Sequence, residues 1–192
     1  AHRGLAMPLA EPPALAREAE LCGYRTAWVG EASGTEAIVL STLIATHTET
    51  LQIANGVIPV QTRTPIVYGQ AAATLAHLAP GRFALGIGLS SEIIVGQWHG
   101  LPFVPSIQQM REAVQIIRMV ASGERVNFEG RFYRLKNFRL GIPAPSPPPR
   151  VYLAALGPKM CELAGEVADG VLLNWIPPSA MSASLRSIED GV

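Results

Sequence analysis

The chain has 192 residues, no net formal charge, and 48% hydrophobic against 16% charged residues. This length and apolar content predict a single folded domain over residues 1–192 and exclude a disordered chain. The balanced charge and the lack of a basic run argue against a nucleic-acid partner. No apolar run is long enough for a membrane span and no signal-peptide pattern is present, so we expect a soluble, cytoplasmic protein.

Strand and helix signals alternate from the first residues onward. Strands are predicted at Gly4–Met7, Thr26–Val29 and Leu51–Val60, the last broken at Asn55-Gly56. A first helix opens at Pro12-Pro13 and is stopped by Gly23. A second helix is predicted over about Thr35–Thr46, with Thr35 or Ser33 as its N-cap.

The middle of the chain continues the alternation. A helix is predicted at Pro65–Leu78 and a strand at Arg82–Ile87, and a long loop follows from Leu89 to Pro105. The next helix is strongly amphipathic, with apolar residues at Ile107, Met110, Val114, Ile117 and Ala121.

A different pattern interrupts at residues 123–140, which read as an inserted β-hairpin. The proline-rich stretch Pro143–Pro149 is then predicted to be an extended lead-in. The alternation resumes with strands and helices at Val151–Ala155, Lys159–Ala168, Val171–Asn174 and Pro177–Glu189.

Roughly six apolar strands that alternate with helices predict an α/β fold with a parallel sheet covered by helices. A doubly wound open sheet and a barrel both fit this pattern. Cys22 and Cys161 fall on predicted helices and are too few for a disulfide framework or a metal site, so we expect reduced core cysteines and no metal. The chain starts without Met inside a predicted strand and stops just after a helix, so both ends read as cut.

In either architecture the active site lies at the carboxyl ends of the strands. Ala154–Lys159 carries a strand end, a Gly-Pro turn and a helix start, which favour an anion site to which Lys159 could add charge. Gly86-Ile87-Gly88 resembles only the start of a dinucleotide fingerprint and is a weak signal for it; we expect that its glycines allow a close approach to a ring or a neighbouring strand. Arg63 either pairs with an anion or lies on the surface, and His99 is the acid/base candidate of the longest loop.

Several motifs, in order along the chain, resemble the luciferase-like monooxygenases and their deazaflavin-dependent relatives. They are Gly23–Val29, Pro80–Gly88, Gln97–Gly100, Met110–Glu112, Gly123-Glu124, Gly130–Tyr133, Val151–Lys159 and Glu162–Gly170. The pattern is most similar to the branch of methylenetetrahydromethanopterin reductase, which typically uses coenzyme F420, while relatives use FMN. The resemblance implies a (β/α)8 TIM barrel of which this chain carries an incomplete part, because a family member continues for further β/α units.

The same resemblance implies a set of cofactor-binding residues. Glu31 maps to the acidic residue that ends the second strand, and Gly56-Val57 to a non-prolyl cis peptide beneath the ring. Gly88 and Ser90 map to the strand end that flanks the ring, and Asn174 to a polar strand end. The phosphate and ribityl turn maps to Ala154, Ala155, Gly157, Pro158 and Lys159.

The sequence departs from the sugar-phosphate dehydrogenases of this family, because their acid/base pair is replaced by Ala32 and Ser90. The catalytic residues are therefore not identified. Three functions stay open: an F420-dependent oxidoreductase acting on a small molecule, an FMN-dependent monooxygenase, and a truncated barrel without catalysis. Related barrels dimerise, and the alanine-rich run Ala71–Ala76 is expected to allow close helix packing in a homodimer.

Overall fold

The computed structural model describes residues 11–104 and 106–192. Within them a six-stranded, entirely parallel sheet forms, with its main path ordered β1-β2-β4-β7-β8. Its strands are β1 (Thr26–Val29), β2 (Gln52–Asn55), β3 (Ile58–Pro59), β4 (Phe83–Gly88), β7 (Arg150–Ala154) and β8 (Gly170–Leu172). The predicted strand Gly4–Met7 lies outside the described residues.

β2 and β3 are two parts of one strand that is interrupted at Gly56-Val57. Ile53 of β2 pairs with Phe83 at the start of β4, and Ile58 of β3 pairs with Ile87 near its end. A Cβ atom at Gly86 would lie 1.9 Å from the carbonyl oxygen of Asn55. Gly86 therefore permits a close approach of the neighbouring strand, which is one of the two roles expected for these glycines.

Helices cover the sheet as the periodicity predicts. They are α1 (Glu11–Leu21), α2 (Ala37–Ala45), α3 (Pro65–Leu78), α4 (Ile107–Ala121), α5 (Pro158–Val167) and α6 (Pro178–Glu189). The core lies between helices and sheet, where β4 is buried at every position. This all-parallel sheet under helices settles the α/β class, since such sheets are buried on both faces.

The predicted hairpin region 123–140 holds the antiparallel pair β5 (Val126–Glu129) and β6 (Arg134–Phe138). Glu112 of α4 is 1% exposed and accepts hydrogen bonds from the backbone N–H groups of Arg131, Phe132 and Tyr133. Burial alone would raise the pKa of Glu112, but the hydrogen bonds from Gln108 and from these backbone groups hold the pKa below its ordinary value. The carboxylate thus fastens the hairpin turn to α4.

Three local expectations were wrong. Glu36, not Thr35 or Ser33, is the N-cap of α2, because its carboxylate accepts from the backbone N–H of Val39. The long loop contains a π-helix at Ile93–Trp98. The spacing of apolar residues used to recognise α-helices and strands does not predict a π-helix. Cys22 is exposed beyond the end of α1, whereas Cys161 is buried as predicted.

No helix among the described residues combines the length and the apolar character needed to cross a membrane.

Candidate functional site

An open cavity of about 730 Å³ lies at the carboxyl ends of the strands. Its walls come from the segments that follow β2, β4, β7 and β8, together with the first turns of α4 and α5. Cofactors and substrates bind at this end in parallel α/β folds. We therefore take the cavity as the candidate site.

The structure brings most of the predicted cofactor-binding residues together around this cavity. Those that line it are Gly56, Val57, Gly88, Ser90, Ala154, Ala155, Gly157, Pro158, Lys159 and Asn174. Glu31 is the exception, since it does not line the cavity.

Small side chains form the floor. The peptide bond between Gly56 and Val57 is cis, as the resemblance predicts. A Cβ atom added at Gly88 would lie 2.9 Å from Cγ2 of Val57 and 3.1 Å from Cβ of Ala154. Val57 and Ala154 thus lie so close to Gly88 that a larger side chain does not fit there, and the floor consists of small side chains.

The first turn of α5 closes one end of the cavity. Gly157 is the N-cap of this ten-residue helix, and no side chain caps it. Backbone N–H groups of an uncapped first turn and the helix dipole favour an anion. A Cβ atom at Gly157 would meet no atom within 4 Å, so there is open space for a ligand beside the turn. Lys159 is exposed and is the one charged side chain among the described lining residues.

The sequence interpretation missed the apolar walls. Further lining residues are Leu89, Ile107, Leu156, Met160, Leu172 and Leu173. Each of them ends or follows a strand, or lies in the first turn of a helix, so their position in each β/α unit was the available signal. These side chains make most of the cavity wall apolar.

Glu31 lies at the end of β1 and is tied to Arg63 instead. The Arg63 Nη1 and Nη2 atoms donate to the two carboxylate oxygens of Glu31 at 2.7 and 2.8 Å. Burial alone would raise the pKa of Glu31, but the hydrogen bonds from Arg63 and from the Ala37 N–H hold the pKa below its ordinary value. Arg63 also pairs with Glu36. Of the two alternatives expected for Arg63, the structure shows pairing with an anion. The anions are the carboxylates of Glu31 and Glu36 in the same chain.

His99 follows the π-helix and is exposed. It does not line the cavity. Around the cavity the described residues thus offer a floor of small side chains, apolar walls and, at one end, the uncapped first turn of α5 beside Lys159. This arrangement can hold a flat ring with an anionic tail.

Comparisons with known proteins identify the family of this chain. The profile of the luciferase-like monooxygenase family matches residues 1–192. The chain is 30% identical over 175 residues to 5,10-methylenetetrahydromethanopterin reductase from Archaeoglobus fulgidus, covering 91% of this chain and 52% of the relative. It is 32% identical over 187 residues to a putative coenzyme F420-dependent oxidoreductase from Mycobacterium tuberculosis, covering 88% and 52%.

A solved structure agrees with the sequence relatives. The coenzyme F420-dependent tetrahydromethanopterin reductase from Methanopyrus kandleri superposes with a TM-score of 0.88 at 25% identity, over 97% of this chain and 58% of that chain. The sheet is therefore a curled part of a luciferase-like TIM barrel, which resolves the choice between an open sheet and a barrel. The chain spans about half the length of the curated relatives it matches. It belongs to the luciferase-like monooxygenase family.

Proposed function

We propose that residues 1–192 form a single, incomplete TIM-barrel domain of a coenzyme F420-dependent oxidoreductase. This enzyme transfers a hydride between the deazaflavin and a small organic substrate. The observation that carries this proposal is the cavity, which joins a shallow floor of Val57, Gly88 and Ala154 to the uncapped first turn of α5. The names of the relatives, which include F420-dependent reductases, support the cofactor.

The cofactor supplies the hydride chemistry at its ring, and the protein supplies binding, orientation and exclusion of water. Gly56, Val57, Gly88 and Ala154 would support one face of the ring. Leu172 and Leu173 would shield it from water. The N–H groups near Gly157 and the charge of Lys159 would hold the anionic tail, while Ala155, Pro158, Ser90 and Asn174 would complete the lining.

An FMN-dependent monooxygenase is the second candidate. The α5 turn favours a phosphate of either cofactor, and the family description includes monooxygenases. A truncated barrel without catalysis is the remaining alternative.

We also propose a homodimer and a cytoplasmic location. The run Ala71–Ala76 is not a free packing surface, because Ala72, Ala73 and Ala76 are buried within this chain. Val39 of α2 is 67% exposed and Val67 of α3 is 44% exposed, so these neighbouring helices offer the apolar surface instead. The two cysteines are unpaired, as is usual in reducing compartments.

Parallel titrations of the purified chain with F420 and FMN, followed by cofactor fluorescence, test the proposal. We expect an F420 dissociation constant on the order of micromolar and FMN binding at least about tenfold weaker. Tighter binding of FMN would move the assignment to the monooxygenase. Binding of neither by a folded sample would contradict both enzyme functions and leave the truncated barrel.

A further inference from the structure

Glu31 and Arg63 join two strand ends beside the cavity without lining it. Glu31 follows β1, and Arg63 lies in the loop between β3 and α3. Both oxygens of the carboxylate are engaged by the guanidinium, and the Ala37 N–H donates to the same carboxylate at 3.0 Å. The side chains are only 10% and 18% exposed, so solvent screens this bidentate pair less than a surface pair.

The backbone around this pair leads directly to the cavity floor. The N–H of Glu31 donates to the carbonyl oxygen of Val57 at 3.4 Å. Val57 lines the cavity, and its Cγ2 atom would lie 2.9 Å from a Cβ atom added at Gly88. The backbone of Glu31 is therefore hydrogen-bonded to Val57, which is a residue of the cavity floor.

Arg63, the other member of the pair, is linked to β3, which precedes it in the chain. Arg63 donates to the Thr62 hydroxyl at 3.2 Å, and that hydroxyl donates to the carbonyl oxygen of Pro59 at 2.9 Å. Tyr68 is fully buried, lies 5.8 Å from the Arg63 guanidinium, and donates to the same carbonyl at 2.6 Å. Gln61 donates to the carbonyl oxygen of Leu89, another lining residue, at 3.1 Å.

Direct roles in ligand binding do not fit this arrangement. The lowered pKa of Glu31 keeps it ionised, so it is a poor proton donor at neutral pH. The guanidinium of Arg63 already contacts the carboxylates of Glu31 and Glu36, so its charge is neutralised within the chain.

We propose that Glu31 and Arg63 are a positioning pair, which holds residues 56–62 so that Val57 keeps its place in the cavity floor. The link between this pair and F420 rests on the proposed function. The positioning of residues 56–62 depends only on contacts within this chain. Arg63 thus acts on the cofactor through the floor and makes no contact with it.

The test compares Arg63→Gln with a matched control, Arg111→Gln. Arg111 also forms a bidentate pair with a glutamate, Glu166, but between α4 and α5 and away from the cavity lining. Two quantities are measured for each folded variant: amide hydrogen exchange over residues 56–62 in the cofactor-free protein, and F420 affinity by fluorescence. Thermal denaturation identifies the folded samples.

For Arg63→Gln we expect faster amide exchange over residues 56–62 and an F420 dissociation constant raised about tenfold. A change of this size is typical when a residue that supports a binding site without touching the ligand is lost. Arg63→Lys should restore part of the affinity, because it retains the charge but not the fork. Arg111→Gln should change neither quantity. If Arg63→Gln does not fold, Glu31→Gln, which keeps the shape of the carboxylate, replaces it.

Unchanged exchange, or unchanged affinity despite faster exchange, would overturn the positioning role. Equal effects of Arg111→Gln would overturn it as well, because the effect would then be global. If the wild-type chain fails to bind F420, the proposed function falls, whereas the exchange comparison still decides whether the pair holds the floor segment.

Discussion

The residues around the cavity differ in how far their roles depend on distant parts of the chain. Gly157 and Lys159 are defined by local chemistry, because a strand end, a Gly-Pro turn and a helix start are adjacent in sequence. Their place beside the cavity could therefore be predicted. Glu31 could not be understood in the same way, since its partner Arg63 is 32 residues away.

At this scale the first prediction concerns Lys159. In Lys159→Gln the F420 affinity should fall about threefold to tenfold at low salt, because an exposed charge near an anion contributes only modestly. The loss should shrink as ionic strength rises, since salt screens the missing charge. Fluorescence titration at two salt concentrations measures both effects. A loss that does not depend on salt would contradict a purely electrostatic role.

At the scale of elements, the proline and glycine signals at helix ends were most informative, as at Pro65 and Pro80-Gly81. The helix Pro65–Leu78 was predicted with the bounds that the structure shows. The π-helix Ile93–Trp98 was not, because its wider turn does not match the period used to recognise helices. The cap of α2 was misplaced because Glu36 stands beside the better cap formers Thr35 and Ser33.

The attachment of the hairpin to α4 is a further element whose cause was hidden in the sequence. Glu112 appeared only as part of a family motif, and the structure shows its carboxylate at the backbone of Arg131, Phe132 and Tyr133. A long-range contact of this kind has no local signature.

Glu112→Gln should therefore destabilise the protein by about 1–3 kcal/mol, because buried N–H groups lose a charged acceptor. The pKa of Glu112 is depressed, so its contribution is complete above the ordinary value of 4.5 and is lost as pH falls below it. Denaturant unfolding at neutral and acidic pH should show the difference between wild type and variant shrinking toward low pH.

Glu166→Gln provides the comparison, since this exposed carboxylate pairs with Arg111 on the surface. It should cause a much smaller loss of stability. An equal loss in both variants would mean that burial of Glu112 does not matter.

For the whole molecule, the alternation of strands and helices predicted an α/β sheet, but it could not decide between an open sheet and a barrel. Strand order and curvature arise from packing among units far apart in the chain. The choice came from superposition on a luciferase-like barrel, of which this chain covers 58%.

The proposed homodimer is also a property of the whole molecule. Val39→Asp should convert this dimer into folded monomers, since Val39 is 67% exposed within one chain. Light scattering after size exclusion measures the mass. Met181→Asp is the control, because Met181 is also exposed but lies on α6. A monomeric wild-type protein would contradict the dimer.

If the cavity beside α5 holds F420 as proposed, a larger side chain at Gly157 should interfere with binding, and Gly157→Val tests this. At Gly157 the backbone φ is −87°, and a Cβ atom meets nothing within 4 Å, so the protein accommodates the side chain. The valine would instead fill the space where the anionic tail approaches the turn. Gly141→Val is the matched control, because Gly141 also has open space but does not line this cavity.

The measurement is the F420 dissociation constant of the wild type and both variants. We expect Gly157→Val to weaken F420 binding at least about tenfold and Gly141→Val to bind F420 like the wild type. Wild-type affinity in a folded Gly157→Val protein would contradict the placement of the cofactor at this turn.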